Sequence, residues 1–269
     1  MIPNVLSIAG SDPSGGAGIQ ADIKAISANG AFAMNAITAL TAQNTQGVSG
    51  IHLIPPAFVQ AQIKAIFDDI RVDAVKIGMI ANAVIAAAVA DALQGHGDIP
   101  IVLDPVMIAK GGAALLEPEA VDTLRCALLP IATVLTPNLP EAAHLLGTDI
   151  AKTRDDMAKQ GAALCALGPK ATLMKGGHLE GSESPDCLVT AETVTWFDAQ
   201  RTATQNTHGT GCTLSSALAA QLAKGHPPAK AASAAKSYVA QAIAAADALS
   251  VGTGHGPTHH LASFYSQRT

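Results

Sequence analysis

The stretch "NVLSIAGSDPSGGAGIQADIKAISAN", residues 4–29, decides how the chain is read. Asn4 to Gly10 is a short apolar run of strand composition, closed by a glycine-rich turn. From Gly18 to Asn29 the isoleucines Ile19, Ile23 and Ile26 recur on one helical face. A strand turning directly into a helix is the first half of a parallel crossover unit, and the rest of the chain repeats it.

"FAMNAITALTAQN" (32–44) reads as a strand followed by a loop, and Pro56 to Ile70 as a helix. The strand "DAVKIGMI" (73–80), a helix from Ala83 to Leu93 and the strand "IVLDPV" (101–106) come next. Then follow a helix from Ala120 to Leu128, the strand "ATVLTPN" (132–138), helices from Pro140 and from Thr153 to Leu167, and the strand "ATLMKGG" (171–177). "DCLVTAETVTWFDAQR" (186–201) has the pattern of an antiparallel hairpin added to the sheet, and helices Gly211–Ala223 and Pro228–Ala248 close the order. The expectation is a three-layer α/β/α sandwich around a mostly parallel sheet. With no linker or repeat in sight, residues 1–269 are read as one domain.

Composition agrees. Hydrophobic residues make up 49% but aromatics only 3%, so small aliphatic side chains must build the core, as in sheets covered by alanine-rich helices. A net charge of −5 without a basic run argues against a nucleic-acid partner. The apolar runs are too short for a membrane span or signal peptide, and the four cysteines form no CxxC pair, so a reduced cytoplasmic protein is expected.

Five polar or glycine-rich clusters fall just after strands: "GSDPSGGAG", "GMIAN", "DPVMIAKGG", "TPNLPE" and "MKGGH". Open α/β sheets bind ligands beyond the carboxyl ends of their strands, so this rim is the candidate site. The first cluster matches neither a Walker A loop nor GxGxxG. Asp22, on the flank of the isoleucine stripe, is either a partner of the helix start or an acceptor for a ligand's hydroxyl or amino group. Gln43 offers an amide suited to a heterocycle edge or to a loop backbone, and Met79 can pack or stack on a flat ligand. Asp104 and Glu141 can hold Mg²⁺ through waters, though Asn138 and Glu141 equally resemble a capping box. Lys175 is a candidate phosphate contact.

"NTHGTGCTLSSALAA" (206–220) sets a glycine turn before an alanine-rich helix. The N–H groups of Gly209, Thr210 and Gly211 and the positive helix end can gather on one anion, and the helix start is expected to lower the pKa of Cys212. Cys212 can be a buried structural thiol, a covalent nucleophile of a hydrolase, or the acceptor of a substrate proton; the last fits an anion-binding turn best.

"AGSDPSGGAGIQADIK" (9–24), "ALTAQNTQGV" (39–48), "KIGM" (76–79), "LDPVM" (103–107), "LTPNLPEA" (135–142), "LMKGGH" (173–178) and "NTHGTGC" (206–212) together resemble, in order, the motifs of the hydroxymethylpyrimidine/phosphomethylpyrimidine kinases. These are the thiamin-biosynthetic branch of the ribokinase-like superfamily. The resemblance implies ATP-dependent phosphorylation of 4-amino-5-hydroxymethyl-2-methylpyrimidine and then of its monophosphate, with pyridoxal as the alternative substrate. It implies a pyrimidine pocket at Asp22, Gln43, Met79 and Val106, a metal and phosphate region at Asp104, Glu141 and Lys175, and an anion hole at Gly209–Cys212. It further implies Cys212 in the place of the base that ribokinase relatives supply as Asp, ATP and Mg²⁺ as cofactors, and a homodimer. One departure is "AKGG" (109–112), where the resemblance leads one to expect a serine.

Overall fold

The computed structural model describes residues 1–107 and 120–265, so the "AKGG" departure lies outside the described residues. Among the described residues nine strands form one sheet: β1 (Asn4–Ser11), β2 (Phe32–Asn44), β3 (Gly47–Leu53), β4 (Ala74–Ile77), β5 (Ile101–Leu103), β6 (Val134–Leu135), β7 (Ala171–Lys175), β8 (Asp186–Thr190) and β9 (Val194–Phe197). Their order across the sheet is β3-β2-β1-β4-β5-β6-β7-β8-β9. The six central strands run parallel, while β3 pairs antiparallel with β2, β8 with β7 and β9 with β8.

Alternation along the strands fills two cores. Leu6, Ile8, Val75, Ile77, Leu103 and Leu135 face one layer of helices, α2 (Pro56–Asp69), α3 (Ala83–Ala92), α4 (Ala120–Thr123), α5 (Leu139–Leu146) and α6 (Arg154–Cys165). Val5, Ala74, Val102, Val134 and Leu173 face the other layer, α1 (Gly18–Ala28), α7 (Thr210–Ala223) and α8 (Pro228–Ala244). In that second layer Ala217, Ala220, Ala231 and Ala235 are fully buried. Side chains that small let α7 and α8 pack closely on each other and on the sheet. Among the described residues, no helix is long and apolar enough to cross a membrane.

Two local readings change. The expected helix Ala120–Leu128 has one α-helical turn, Ala120–Thr123, before widening into a π-helical turn at Leu124–Leu128. The expected loop after the second strand is itself strand: β2 runs unbroken to Asn44 and returns as β3. Neither face of this edge hairpin is fully buried, so its sequence carries no apolar alternation to read, and the backbone ladder holds it. The sheet order reverses between β1 and β4: β1 leads through α1 to β2 on one side, and β4 leads through α3 to β5 on the other. The two connecting helices lie on opposite faces, which opens a crevice at the strand ends.

Beneath that crevice Lys76 of β4 lies in register with Ser7 of β1, fully buried on the α1/α7 face. Its ammonium donates to both oxygens of Asp22 on α1, at 2.9 and 2.8 Å. Ser7 and Ser216 hydroxyls donate to the same carboxylate at 2.6 and 2.7 Å. Each charge is thus compensated, and removing one leaves the other stranded. Lys76→Met is expected to destabilise the protein by about 3–5 kcal/mol, and adding Asp22→Asn to recover a large part of that. Denaturant unfolding of the two variants checks this; equal losses would contradict it.

Candidate functional site

A cavity of about 790 Å³ opens over the carboxyl ends of the central strands. Its floor is built by elements that reach it from opposite ends of the sequence. α7 points its amino end into it through Gly209, which has φ 76°, a left-handed backbone that favours glycine. A Cβ there would also collide with the carbonyl oxygen of Gly16, so the 206–211 turn seats directly on the turn after β1. Thr210 N–H donates to Thr207 O (3.3 Å) and Thr213 N–H to Gly209 O (2.9 Å). Of the amides expected to gather on an anion, that of Thr210 is thus engaged, while those of Gly209, Gly211 and Cys212 have no backbone acceptor among the described residues.

Gly211 abuts a charged cluster: a Cβ on it would stand 3.4 Å from Lys175 Nζ and 3.5 Å from Asp104 Oδ2. Lys175 Nζ donates to Asp104 Oδ1 (2.8 Å) and lies 3.7 Å from Glu141 Oε2. Thr136 Oγ1 (3.2 Å) and Ser215 Oγ (3.3 Å) complete the Asp104 shell. Burial works against the Asp104 charge, but Lys175 and Lys76 more than offset it and hold the carboxyl below its ordinary range. The two carboxylates in turn hold the Lys175 ammonium above the usual lysine range despite its burial. The Asn138–Glu141 capping box is present, with bonds of 2.7 and 2.8 Å, and Glu141 faces the cavity as well. The two roles weighed for this residue are therefore compatible. Burial pushes the Glu141 carboxyl up to about 7, with the nearby Asp104 charge adding to the rise.

Cys212 borders the cavity at the first turn of α7. Its thiol is pushed up to about 11, first by burial and then by the charges of Asp22 and Asp104, which together outweigh Lys76. The expectation that the helix start lowers this pKa is reversed, because the desolvated floor costs the thiolate more than the helix end returns. His208, four residues earlier, is engaged elsewhere: its Nε2 lies 2.8 Å from Asp12 Oδ2.

Of the expected pyrimidine contacts, Gln43, Met79 and Val106 line the cavity. Met79 and Val106 pack with Ala39 and Ala81 as an apolar wall. Asp22 departs from expectation. It lies in the core with all its bonds directed to Ser7, Lys76 and Ser216, one layer below the cavity. Sequence reasoning did not single out Lys76, Asp12 or Thr136. The lone lysine inside the apolar run "AVKIGMI" was the available signal for Lys76.

A model of the family described as phosphomethylpyrimidine kinase matches residues 12–259. The chain belongs to the phosphomethylpyrimidine kinase family. It is 52% identical over 262 residues to the hydroxymethylpyrimidine/phosphomethylpyrimidine kinase of Salmonella typhimurium, covering 97% of this chain and 98% of that protein. The Escherichia coli protein of the same name is also 52% identical over the same shares. Among solved structures, a Bacillus subtilis pyridoxal kinase in complex with ADP superposes with a TM-score of 0.90 at 37% identity, covering 98% of this chain and 99% of that one. A phosphomethylpyrimidine kinase from Clostridium difficile gives 0.80 at 42% identity, over 90% and 99%. The family is one of kinases, so the cavity belongs to an enzyme that transfers a phosphoryl group.

Two titrations follow from the site. Alkylation of Cys212 by iodoacetamide, followed on its own peptide by mass spectrometry, is expected to be slow at pH 7. It should rise about ten-fold per pH unit toward pH 11; a plateau by pH 8 would contradict the raised pKa. Glu141, with a folded pKa of about 7 above its unfolded value of about 4.3, binds its proton more tightly when folded. Its effect is complete below the unfolded value, and stability is lost as pH rises through the folded one. The melting temperature of Glu141→Gln should therefore gain several degrees on the wild type between pH 4.5 and 8.

Proposed function

We propose that the protein phosphorylates the hydroxymethyl group of 4-amino-5-hydroxymethyl-2-methylpyrimidine from ATP, and then phosphorylates the monophosphate to the diphosphate. The observation that carries this reading is the open amino end of α7, with Cys212 and Lys175 at its mouth, in a chain 52% identical to kinases named for that substrate. Wall and polar groups suit the ligand: Met79 and Val106 offer an apolar surface for a flat ring, and Gln43 an amide for its edge.

Phosphoryl transfer depends mostly on positioning and on neutralising charge. The Gly211 and Cys212 amides and the Lys175 ammonium receive the transferring group, and the helix end adds to their positive field. Asp104 and Glu141 fit a hard cation that keeps most of its waters: both are carboxylates on one wall, and Glu141 sits at the margin of ionisation. Mg²⁺ bound there would neutralise phosphate charge. Cys212 takes the hydroxyl proton. Its high resting pKa makes the thiolate scarce at neutral pH but strongly basic once formed, so turnover should climb with pH. In this reading the enzyme acts in the cytoplasm as a homodimer.

Cys212→Ala is expected to lower kcat by about 10²–10⁴ with little change in the KM for ATP; wild-type turnover in that variant would remove Cys212 from the mechanism. The superposition on solved pyridoxal kinases makes pyridoxal the second candidate. ATP consumption measured side by side with the hydroxymethylpyrimidine, its monophosphate and pyridoxal should show the two pyrimidines preferred. A preference for pyridoxal would overturn the substrate and leave the reaction class standing.

A further inference from the structure

Gln43 sits between two groups whose hydrogens are already committed. On one side, Thr41 Oγ1 has one hydrogen and two acceptors in reach, Ser11 O at 2.9 Å and Gln43 Oε1 at 3.2 Å, and the shorter bond to Ser11 takes it. Toward Gln43, 3.2 Å away, it can therefore only accept. On the other side, His208 Nε2 lies 2.8 Å from Asp12 Oδ2. Asp12 is a carboxylate: its pKa is held below the ordinary value because His208, Ser14 and Ala17 bonds outweigh its burial. A carboxylate only accepts, so Nε2 carries its hydrogen toward Asp12 and has no lone pair to offer Gln43 at 3.3 Å.

Asp12 cannot easily give way. Its other bonds are to Ser14 N–H (2.9 Å), Ser14 Oγ (2.7 Å) and Ala17 N–H (2.8 Å), which fold the turn between β1 and α1 around it. His208 is fixed as well: its backbone N–H donates to Gly256 O (3.0 Å) and its ring packs on Gly16. With Nε2 of Gln43 beside the ring and Oε1 beside Thr41, the placement the structure carries, two donors face each other at one end and two acceptors at the other. A half-turn of the amide resolves both conflicts at once, and neighbouring hydrogens are what distinguish an amide nitrogen from its oxygen.

We infer that Asp12, His208 and Thr41 are positioning residues that lock the Gln43 amide in one sense, carbonyl toward His208 and NH₂ toward Thr41, and so determine which edge of a heterocycle the cavity accepts. Gln43 then presents an acceptor on the His208 side and a donor on the Thr41 side. An exocyclic amino group beside an unprotonated ring nitrogen complements that order, with the amino group toward His208. A 4-oxo edge, with a carbonyl beside a ring N–H, meets acceptor with acceptor and donor with donor. This rests on the pyrimidine reading above for its ligand, but the orientation of the amide does not.

Two measurements test it. In the full-length, ligand-free protein, nuclear Overhauser contacts from the Gln43 side-chain NH₂ should reach the Thr41 methyl and not the His208 ring protons; the reverse pattern overturns the inference whatever the substrate. In kinetics, the wild type should favour the 4-amino over the 4-oxo hydroxymethylpyrimidine. His208→Leu should shrink that ratio of kcat/KM by about ten-fold or more, mainly through KM, because a freed amide can turn to either ligand. Thr41→Val should do the same from the other end and serves if His208→Leu does not fold. His208→Gln, whose amide N–H reaches to where Nε2 stood, should keep the ratio within about three-fold of wild type. An unchanged ratio in His208→Leu and Thr41→Val, or equal losses in the Leu and Gln variants, would show that His208 only packs. A wild type that phosphorylates neither pyrimidine defeats the proposed substrate, while the amide orientation is still decided by the first measurement.

Discussion

Two consecutive serines on α7 hold the site together. Ser215, whose hydroxyl sits between the Gly211 carbonyl (3.0 Å) and Asp104 (3.3 Å), packs on the carboxylate that carries Lys175, and Ser216 donates to Asp22, which carries Lys76. Each carboxylate is buried, and each is paired with a lysine from a different parallel strand. α7 carries neither partner of these pairs but covers both, so its amino end cannot drift from the ends of β4, β5 and β7 without drawing its hydroxyls off two buried carboxylates and opening both pairs to water. That constraint holds the Gly211 and Cys212 amides over the cavity floor.

The same pairs determine the chemistry of the floor. Lys175 is shared between Asp104 and Glu141, so the wall carries two carboxylates and one ammonium within a few ångströms. Glu141 is left near its point of ionisation and Asp104 is kept charged. Cys212 meets the opposite outcome: burial disfavours its negative charge first, and Asp22 and Asp104 add to that against the pull of Lys76. A thiol in this position is a poor nucleophile at rest, which argues against a hydrolase built on Cys212 and fits a group that handles a proton during transfer.

On the other side of the cavity the organising group is Asp12. One carboxylate folds the 12–17 turn and anchors His208, whose backbone in turn ties the 254–258 segment to the start of α7. The edge hairpin β2–β3 brings Thr41 and Gln43 up to this anchor. The Asp12 side and the Asp104 side of the cavity are thus built by separate networks, which meet at the 206–212 turn.

Much was legible in the sequence. Alternating strand and helix patterns specify the layers, because a side chain's face depends only on local periodicity, and polar clusters after strands place the rim, because parallel strands all end on one edge. Gln43, Met79, Asp104, Glu141, Lys175 and Cys212 were marked from such local cues, and all line the cavity. What the sequence could not decide is how charges pair. Asp22 and Lys76 are 54 positions apart, His208 and Asp12 196 positions apart, and nothing local links them. Whether Asp22 faces a ligand or a lysine, whether the Cys212 pKa falls or rises, and which way the Gln43 amide points are set by groups that meet only after the sheet has formed. Electrostatic and hydrogen-bond energies depend on distance in space, so these questions belonged to the tertiary structure.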